Sequence, residues 1–424
     1  MPDHVLRRDC RLCGSHDLER VLELTPTPPA NAFVGRDQLS PPQACYPLDL
    51  YFCRACTHVQ LCDVVDPKIL FEHYVYVSGT SSAYRKHLQD YAADVMARYL
   101  PDPGAEILEI GSNDGTFLRF FQEAGLKVHG VDPARNIGKI ANDSGIPTSI
   151  GFFGKDNAGA LKAEGHNPGV MIANHVFAHI DDLRGVLEGV RTLLRPDGFF
   201  IFEVSYLLDV VEKLLFDTIY HEHVAYHSVR AMQSFLRAFG FELIEIQDVA
   251  HQGGSLRGFA QKIGGGHAVD RSVAEFLARE RAAKLDRVET YHAYARRIDG
   301  LKQDLGGLLR RAKAEGKRIA GFGAPAKATT LMYHFGLDRQ IVDFIADDNP
   351  LKQKTFTPGL HVPVLPAEEI FRQKPDYLVI LAWNFADSIM QMQRRYLDEG
   401  GTFIVPLPEL RVISGAAQAK AQAS

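Results

Sequence analysis

The side chains best suited to chemistry lie in one run, Tyr220-His221-Glu222-His223-Val224-Ala225-Tyr226-His227. Its tyrosines, glutamate and histidines could supply a base, a group that orients the base and a donor to an oxyanion. Two blander readings stay open. One is a metal site on His221 and His223, which would need a third ligand. The other is a surface segment without chemistry.

A second constellation is made of sulfur. The six cysteines are Cys10, Cys13, Cys45, Cys53, Cys56 and Cys62, all near the N-terminus. Cys10-Arg11-Leu12-Cys13 and Cys53-Arg54-Ala55-Cys56 are two CxxC pairs. Each suits a tight turn that aims two thiolates at one ion, and together they supply a closed tetrahedral zinc site. The ion would compensate for the small core of so short a segment. With four thiolates no coordination position stays open, so a structural zinc is expected and no metal catalysis. Cys45 and Cys62 fall outside the pattern.

The third is Ile107-Leu108-Glu109-Ile110-Gly111-Ser112-Asn113-Asp114-Gly115-Thr116. It reads as a buried strand, a glycine turn and a helix start. Gly111 and Gly115 let the backbone turn sharply and approach a ligand. The next strand ends on Asp132, which can accept hydrogen bonds from a ribose diol. The turn is GxNxG, where a nicotinamide or flavin site would show GxGxxG around a pyrophosphate. S-adenosyl-L-methionine, which has no phosphate, is the favoured cofactor.

These residues need elements to position them. Strand and helix signals alternate across 104–200, with strands at 107–110, 127–131, 168–172 and 199–203. That rhythm predicts a parallel sheet with helices on its faces. Ligands bind at the carboxyl ends of such strands. Glu109, Gly111, Asp132, Asn174, His179 and Glu203 would lie along that edge, with Asn113 and Gly115 in the glycine turn. At 251–257, His-Gln-Gly-Gly-Ser-Leu-Arg could bind an anion or polyol through Ser255 and Arg257. An ordinary hairpin is the competing reading.

A long charged helical stretch follows from 271, and then a second strand–glycine turn–helix at 318–327. This last unit is Rossmann-like without the dinucleotide fingerprint. It could hold the nucleotide part of a substrate with Lys327 near phosphate, or be a structural duplicate. The aromatic and hydroxylic loop at 71–82 reads equally as a packed linker or as a lid.

The chain has 424 residues and a formal net charge of −5, with Lys+Arg 47 against Asp+Glu 52. The length predicts several domains. The charge gives no sign of a nucleic-acid binder. No apolar leader or membrane-length run is seen, so a cytoplasmic protein without membrane partners is expected. The expected division is a zinc-binding domain at 1–70 and an α/β cofactor-binding domain at 71–270 that includes the Tyr220–His223 segment. A helical connection at 271–316, a Rossmann-like domain at 317–413 and a disordered tail at 414–424 follow.

Taken in order, the CxxC pairs, the EIGSNDG loop, Tyr220-His221-Glu222-His223, HQGGSLR at 251–257 and GAPAK at 323–327 resemble one family. It is the S-adenosylmethionine-dependent sugar C-methyltransferases of deoxysugar biosynthesis, which methylate C-3 of nucleotide-linked 4-keto-hexoses. The resemblance covers nearly the whole chain. It implies an α/β protein with a zinc-binding domain, a central class I methyltransferase domain and a C-terminal Rossmann-like domain. It implies Cys10, Cys13, Cys53 and Cys56 as zinc ligands, and a nucleoside-diphosphate 4-keto-sugar as substrate, with thymidine the expected base. It casts His223 as the base that removes the C-3 proton and Glu222 as its orienter, with exchange of His223 and Tyr220 in that role kept open. Tyr220 and Tyr76 would stabilise the enolate, with His179 beside them and Tyr74 in the loop over the sugar. C-5 methylation, O- or N-methylation and a non-catalytic zinc-bearing scaffold are the alternatives. A monomer is expected.

Overall fold

The computed structural model describes residues 3–72, 79, 82–99, 104–249 and 254–415. Tyr74 and Tyr76, the residues His251 to Gly253 and the expected disordered tail from 416 onward lie outside the described residues. The chain divides into two compact units. The first comprises Met1–Glu19, Tyr51–Leu208 and Val224–Arg287, and the second Arg20–Leu50, Asp209–His223 and Val288–Ser424. The run Tyr220 to His223 therefore belongs to the second unit, and Val224 opens the return to the first.

The first unit is built on a seven-stranded sheet. Its strands are β1 (Glu106–Ile110), β2 (Lys127–Asp132), β3 (Thr148–Ile150), β4 (Val170–Asn174), β5 (Phe199–Ser205), β6 (Phe241–Val249) and β7 (Ser255–Lys262). They lie in the order β3-β2-β1-β4-β5-β7-β6. Strands β1 to β5 run parallel, and β7 is antiparallel to both its neighbours. The strands of a sheet covered on both faces read as continuous apolar runs, and the buried residues 170–173 of β4 do so.

Helix Thr116–Glu123 buries Phe117, Leu118 and Phe121 against the sheet. Helix Leu183–Leu193 buries Leu183, Val186, Leu187, Val190 and Leu193, a stripe at helical spacing. Helix Ser82–Tyr99 adds Leu88, Tyr91, Val95 and Tyr99 to a core that holds Ile107, Ile172 and Ile201. Each such buried side chain contributes about 1.5–3 kcal/mol relative to exposure. The parallel strands thus hold the glycine turn after β1 and the segment after β4 at one edge.

The strands on either side of the 251–257 stretch pair antiparallel, with Val249 of β6 facing Ser255 of β7.

The second unit carries a six-stranded sheet. Its strands are β8 (Ile319–Phe322), β9 (Phe344–Ala346), β10 (Val364–Leu365), β11 (Tyr377–Ile380), β12 (Thr402–Val405) and β13 (Arg411–Ser414). The order β10-β9-β8-β11-β12-β13 is that of a doubly wound fold, reversing direction between β8 and β11. Only β13 pairs antiparallel within it. The expected charged helical stretch breaks once, into Arg271–Ala282 in the first unit and Val288–Ala314 in the second. The expected α/β architecture is present: a cysteine-bearing N-terminal part, a parallel central sheet and a Rossmann-like sheet. No helix of the described residues is long and apolar enough to cross a membrane.

Candidate active site

At the cysteine cluster, two turns of the same design converge. Gly14 N–H donates to the Cys10 carbonyl and Thr57 N–H to the Cys53 carbonyl, each at 2.8 Å. Both turn residues have positive φ, 75° for Gly14 and 64° for Thr57. The four sulfurs lie within 4.8 Å of one another, with Cys10 to Cys56 at 3.5 Å and Cys13 to Cys53 at 3.6 Å. Zinc–sulfur bonds of about 2.3 Å in a tetrahedron require sulfurs about 3.8 Å apart. The neighbouring Cys10 and Cys53 sulfurs, with burial, push the Cys56 thiol up. Sulfurs this close cannot all ionise without a cation among them, so the site fits zinc. Among the described residues no other group of three His, Cys, Asp or Glu side chains is placed to share an ion. The reading of His221 and His223 as metal ligands therefore finds no third ligand there.

The six predicted cofactor-binding residues come together at the edge of β1, β2 and β4. Gly111 has φ 71°, and a Cβ there would sit 2.2 Å from Val176 Cγ2. Asn113 and Gly115 also turn through positive φ. Asp132 pins this turn: its Oδ2 accepts from Asn113 N–H and its Oδ1 from Ala134 N–H, each at 2.8 Å. Burial raises the Asp132 carboxyl, opposed by those two bonds. Asp114 Oδ1 accepts from Thr116 N–H at 3.2 Å and its Oδ2 from Gly79 N–H at 3.0 Å.

Asn174 Nδ2 donates to Glu109 Oε1 at 3.3 Å. Burial pushes Glu109 well above the usual carboxylate range. Glu109 Oε2, Asn174 Oδ1 and Ser112 Oγ are buried polar atoms without a hydrogen-bond partner among the described residues. Orphaned buried polar atoms are rare and call for a ligand or water. A sulfonium amino acid joined to a ribose, rich in N–H and O–H donors, fits this edge.

His179 stacks on Phe71, with ring centroids 5.6 Å apart. Ser255 is buried at the start of β7. Arg257, also buried, donates to Glu203 Oε2 from Nε at 3.0 Å and Nη2 at 2.7 Å. Its guanidinium lies 3.2 Å over the Tyr91 ring. His175 Nε2 donates to the other Glu203 oxygen at 3.0 Å. Burial pushes Glu203 up, but hydrogen bonds from His175 and His87 and the charge of Arg257 hold it well below the usual range. Arg257 thus belongs to a buried ionic cluster under the cofactor edge.

In the second unit, Tyr220, Glu222 and His223 are each held by a hydrogen bond. Tyr220 Oη lies 3.1 Å from His223 Nε2, with ring centroids 4.1 Å apart. His223 Nδ1 lies 2.8 Å from the Thr218 carbonyl, which can only accept. Nδ1 therefore carries a proton, and in the neutral ring Nε2 presents its lone pair to Tyr220. Glu222, buried, accepts from Asn31 Nδ2 at 2.9 Å. His221 donates to the Tyr46 carbonyl at 3.2 Å and is buried, a packing role.

Lys327 Nζ pairs with the buried Asp217 at 3.5 Å and lies 4.3 Å above the Trp383 ring. Trp383 Nε1 donates to the same Asp217 oxygen at 2.6 Å.

Asn31, Thr218 and the Asp217–Trp383 pair were not singled out in the sequence. Thr218 is near enough in the chain to be found by looking for a carbonyl behind the histidine. Asn31 lies 191 residues from Glu222, and no spacing signals it.

Family models match three stretches of this chain: a zinc binding domain over residues 10–71, a methyltransferase domain over 84–246 and a C-methyltransferase C-terminal domain over 250–408. The C-methyltransferase NovU of Streptomyces niveus is 36% identical over 406 residues, which is 96% of this chain and 97% of that protein. The chain belongs to the C-methyltransferase family. An uncharacterized methyltransferase of Bacillus pumilus is 24% identical over 140 residues, 31% of this chain and 64% of its own. A solved S-adenosylmethionine-dependent methyltransferase from Clostridium acetobutylicum is 13% identical, with a TM-score of 0.35 over 43% of this chain and 92% of its own. Nothing rests on so slight a likeness.

This C-methyltransferase is an S-adenosylmethionine-dependent enzyme with a structural zinc site. The orphaned acceptors at Glu109 and Asn174 and the four converging sulfurs fit those two groups.

Proposed function

We propose that the enzyme methylates C-3 of a nucleoside-diphosphate 4-keto-deoxyhexose, with His223 as the base. The observation that carries this reading is the pairing of Tyr220 with His223 Nε2, the opposite nitrogen being tied to Thr218. O- or N-methylation needs little help with the nucleophile. A C–H beside a ketone is a weak acid and needs a base together with a donor for the oxyanion. When bound, the cofactor supplies an electrophilic methyl group.

His223 Nε2 takes the C-3 proton, and the electron pair of the C–H bond moves toward the ketone as an enolate. The Tyr220 hydroxyl turns from Nε2 to the developing C-4 oxygen. Glu222, held by Asn31, supplies the negative charge that favours the imidazolium once formed. The expected role of Tyr76 beside Tyr220, and of Tyr74 in the same loop, rests on the family resemblance. So does a thymidine diphosphate carrier; a monomeric state and a cytoplasmic location stand as expectations from the sequence. The sequence suggests Ser255, Arg257 and Lys327 for substrate binding; in the fold Arg257 pairs with Glu203 and Lys327 with Asp217.

Incubating the enzyme with a dTDP-4-keto-6-deoxyhexose in heavy water, without the methyl donor, tests this. Deuterium should enter at C-3. Deuterium at C-5 instead would move the reaction to that carbon, and no exchange with a substrate proved to bind would sink the enolate mechanism.

A further inference from the structure

Arg11 sits inside the first CxxC turn, yet its side chain is fully buried. Its Nη1 donates to the Leu61 carbonyl at 2.6 Å, and its Nε to Asp181 Oδ1 at 3.0 Å. Leu61 N–H in turn donates to the Val224 carbonyl at 3.0 Å. Val224 N–H donates to the Ala178 carbonyl at 2.9 Å, and Ala225 N–H joins the same oxygen at 3.2 Å. The segment 178–181 then leads back to Asp181. The bonds close a ring: Arg11, Leu61, Val224, Ala178, Asp181, Arg11.

Two members of that ring adjoin residues of the proposed chemistry. Ala178 precedes His179, and Val224 follows His223. Arg7 reinforces the ring, donating from Nη1 to the Asp181 carboxylate at 3.0 Å and to its carbonyl at 3.2 Å. Gln60 accepts from Arg11 N–H at 2.9 Å, locking the arginine backbone to the strand beside Leu61.

We propose that Arg11 is a positioning residue. Through it the zinc turn fixes both the segment that carries His179 and Val224–Ala225, the residues that follow His223 in the chain. A planar guanidinium can serve acceptors on two segments at once, whereas an ammonium on a flexible stem holds one with defined geometry. A charge is costly to bury, and a single link between segments could be made by apolar packing. The two directed bonds set angles that packing would not. The roles of His179 and His223 rest on the proposed C-methylation; the ring itself does not.

The test uses full-length Arg11→Lys and Asp181→Asn, each shown to hold one zinc per chain. Hydrogen–deuterium exchange should rise severalfold in the peptides spanning 175–182 and 224–228 and stay unchanged over 106–116. Cofactor affinity should hold within about twofold, and kcat should fall about tenfold or more with little change in KM. The double variant should be no worse than the poorer single one. Stripping zinc from the wild-type enzyme should loosen the same two peptides. Unchanged exchange there in the zinc-loaded variants, or looser peptides with unchanged kcat, overturns the proposal. Should Arg11→Lys lose zinc, Asp181→Asn, at a side chain 37% exposed, carries the test alone. Should the wild-type enzyme fail to methylate the sugar, the proposed function fails, while the exchange data still decide whether Arg11 couples the segments.

Discussion

Tyr220 and His223 form a hydrogen-bonded pair of defined polarity. The phenol lies 3.1 Å from Nε2, and the Thr218 carbonyl claims the proton on Nδ1. In the neutral imidazole this fixes one tautomer, with the Nε2 lone pair facing the Tyr220 hydroxyl. On the proposed mechanism, the general base and its oxyanion donor are stored together as one contact.

Tyr220→Phe keeps the ring packed on His223 and removes only the hydroxyl. It should lower kcat about 100- to 1,000-fold, the cost of one oxyanion donor, yet leave slow deuterium exchange at C-3. His223→Asn should abolish that exchange and lower kcat about 100- to 10,000-fold. The reverse pattern, exchange lost only in Tyr220→Phe, would make the tyrosine the base.

Gly111→Ala places a methyl group 2.2 Å from Val176 Cγ2 at a φ of 71°. Either the turn or Val176 must shift, and both frame the cofactor edge. Titration calorimetry should show at least about a tenfold loss of S-adenosylmethionine affinity. Stability should fall by about 1–3 kcal/mol. Wild-type affinity in a folded variant would remove the turn from the cofactor site.

His227 is buried and donates to the Phe177 carbonyl at 3.2 Å. Burial depresses it to about 4, from an ordinary 6.5. In the unfolded chain it takes up a proton below pH 6.5 that the folded chain refuses until about 4. Its contribution is therefore complete above 6.5 and is lost as pH falls across that window, by roughly 1.4 kcal/mol per unit. Urea midpoints between pH 7.5 and 4.5 should fall less steeply for His227→Gln. Parallel slopes would mean that other groups carry the acid sensitivity.

Lys327→Met strands Asp217, whose carboxyl burial already raises against the pull of Lys327. Removing one partner of a buried pair costs about 3–5 kcal/mol, less where the orphaned acid can protonate. Asp217→Asn added to Lys327→Met should restore much of that loss in urea unfolding. A Lys327 whose work lies only with a substrate phosphate would instead raise KM and leave the unfolding midpoint alone.

The glycine turn, the CxxC pairs and the strand–helix rhythm were legible in the chain because each is local. Positive φ favours glycine or asparagine, as at Gly111, Asn113 and Gly115, and two thiolates on one tight turn need fixed spacing. The partners of the charged residues were not legible. Arg257 looked like an anion reader beside a glycine turn, and its side chain folds inward onto Glu203 and Tyr91. Lys327 suggested phosphate, and the structure sets it against Asp217 and Trp383. Arg11 carried no signal at all, being the variable residue of a metal-binding motif.

By itself the sequence determined which backbone turns this protein makes, which sulfurs can gather on an ion and which cofactor the first sheet suits. Those follow from steric and coordination rules that act over a few residues. Only the tertiary structure decided which atom of His223 is basic and which segments Arg11 ties together. It also set which charges are spent inside the fold. A buried charge must find its counterpart wherever the chain brings one, and that pairing depends on contacts tens to hundreds of residues apart.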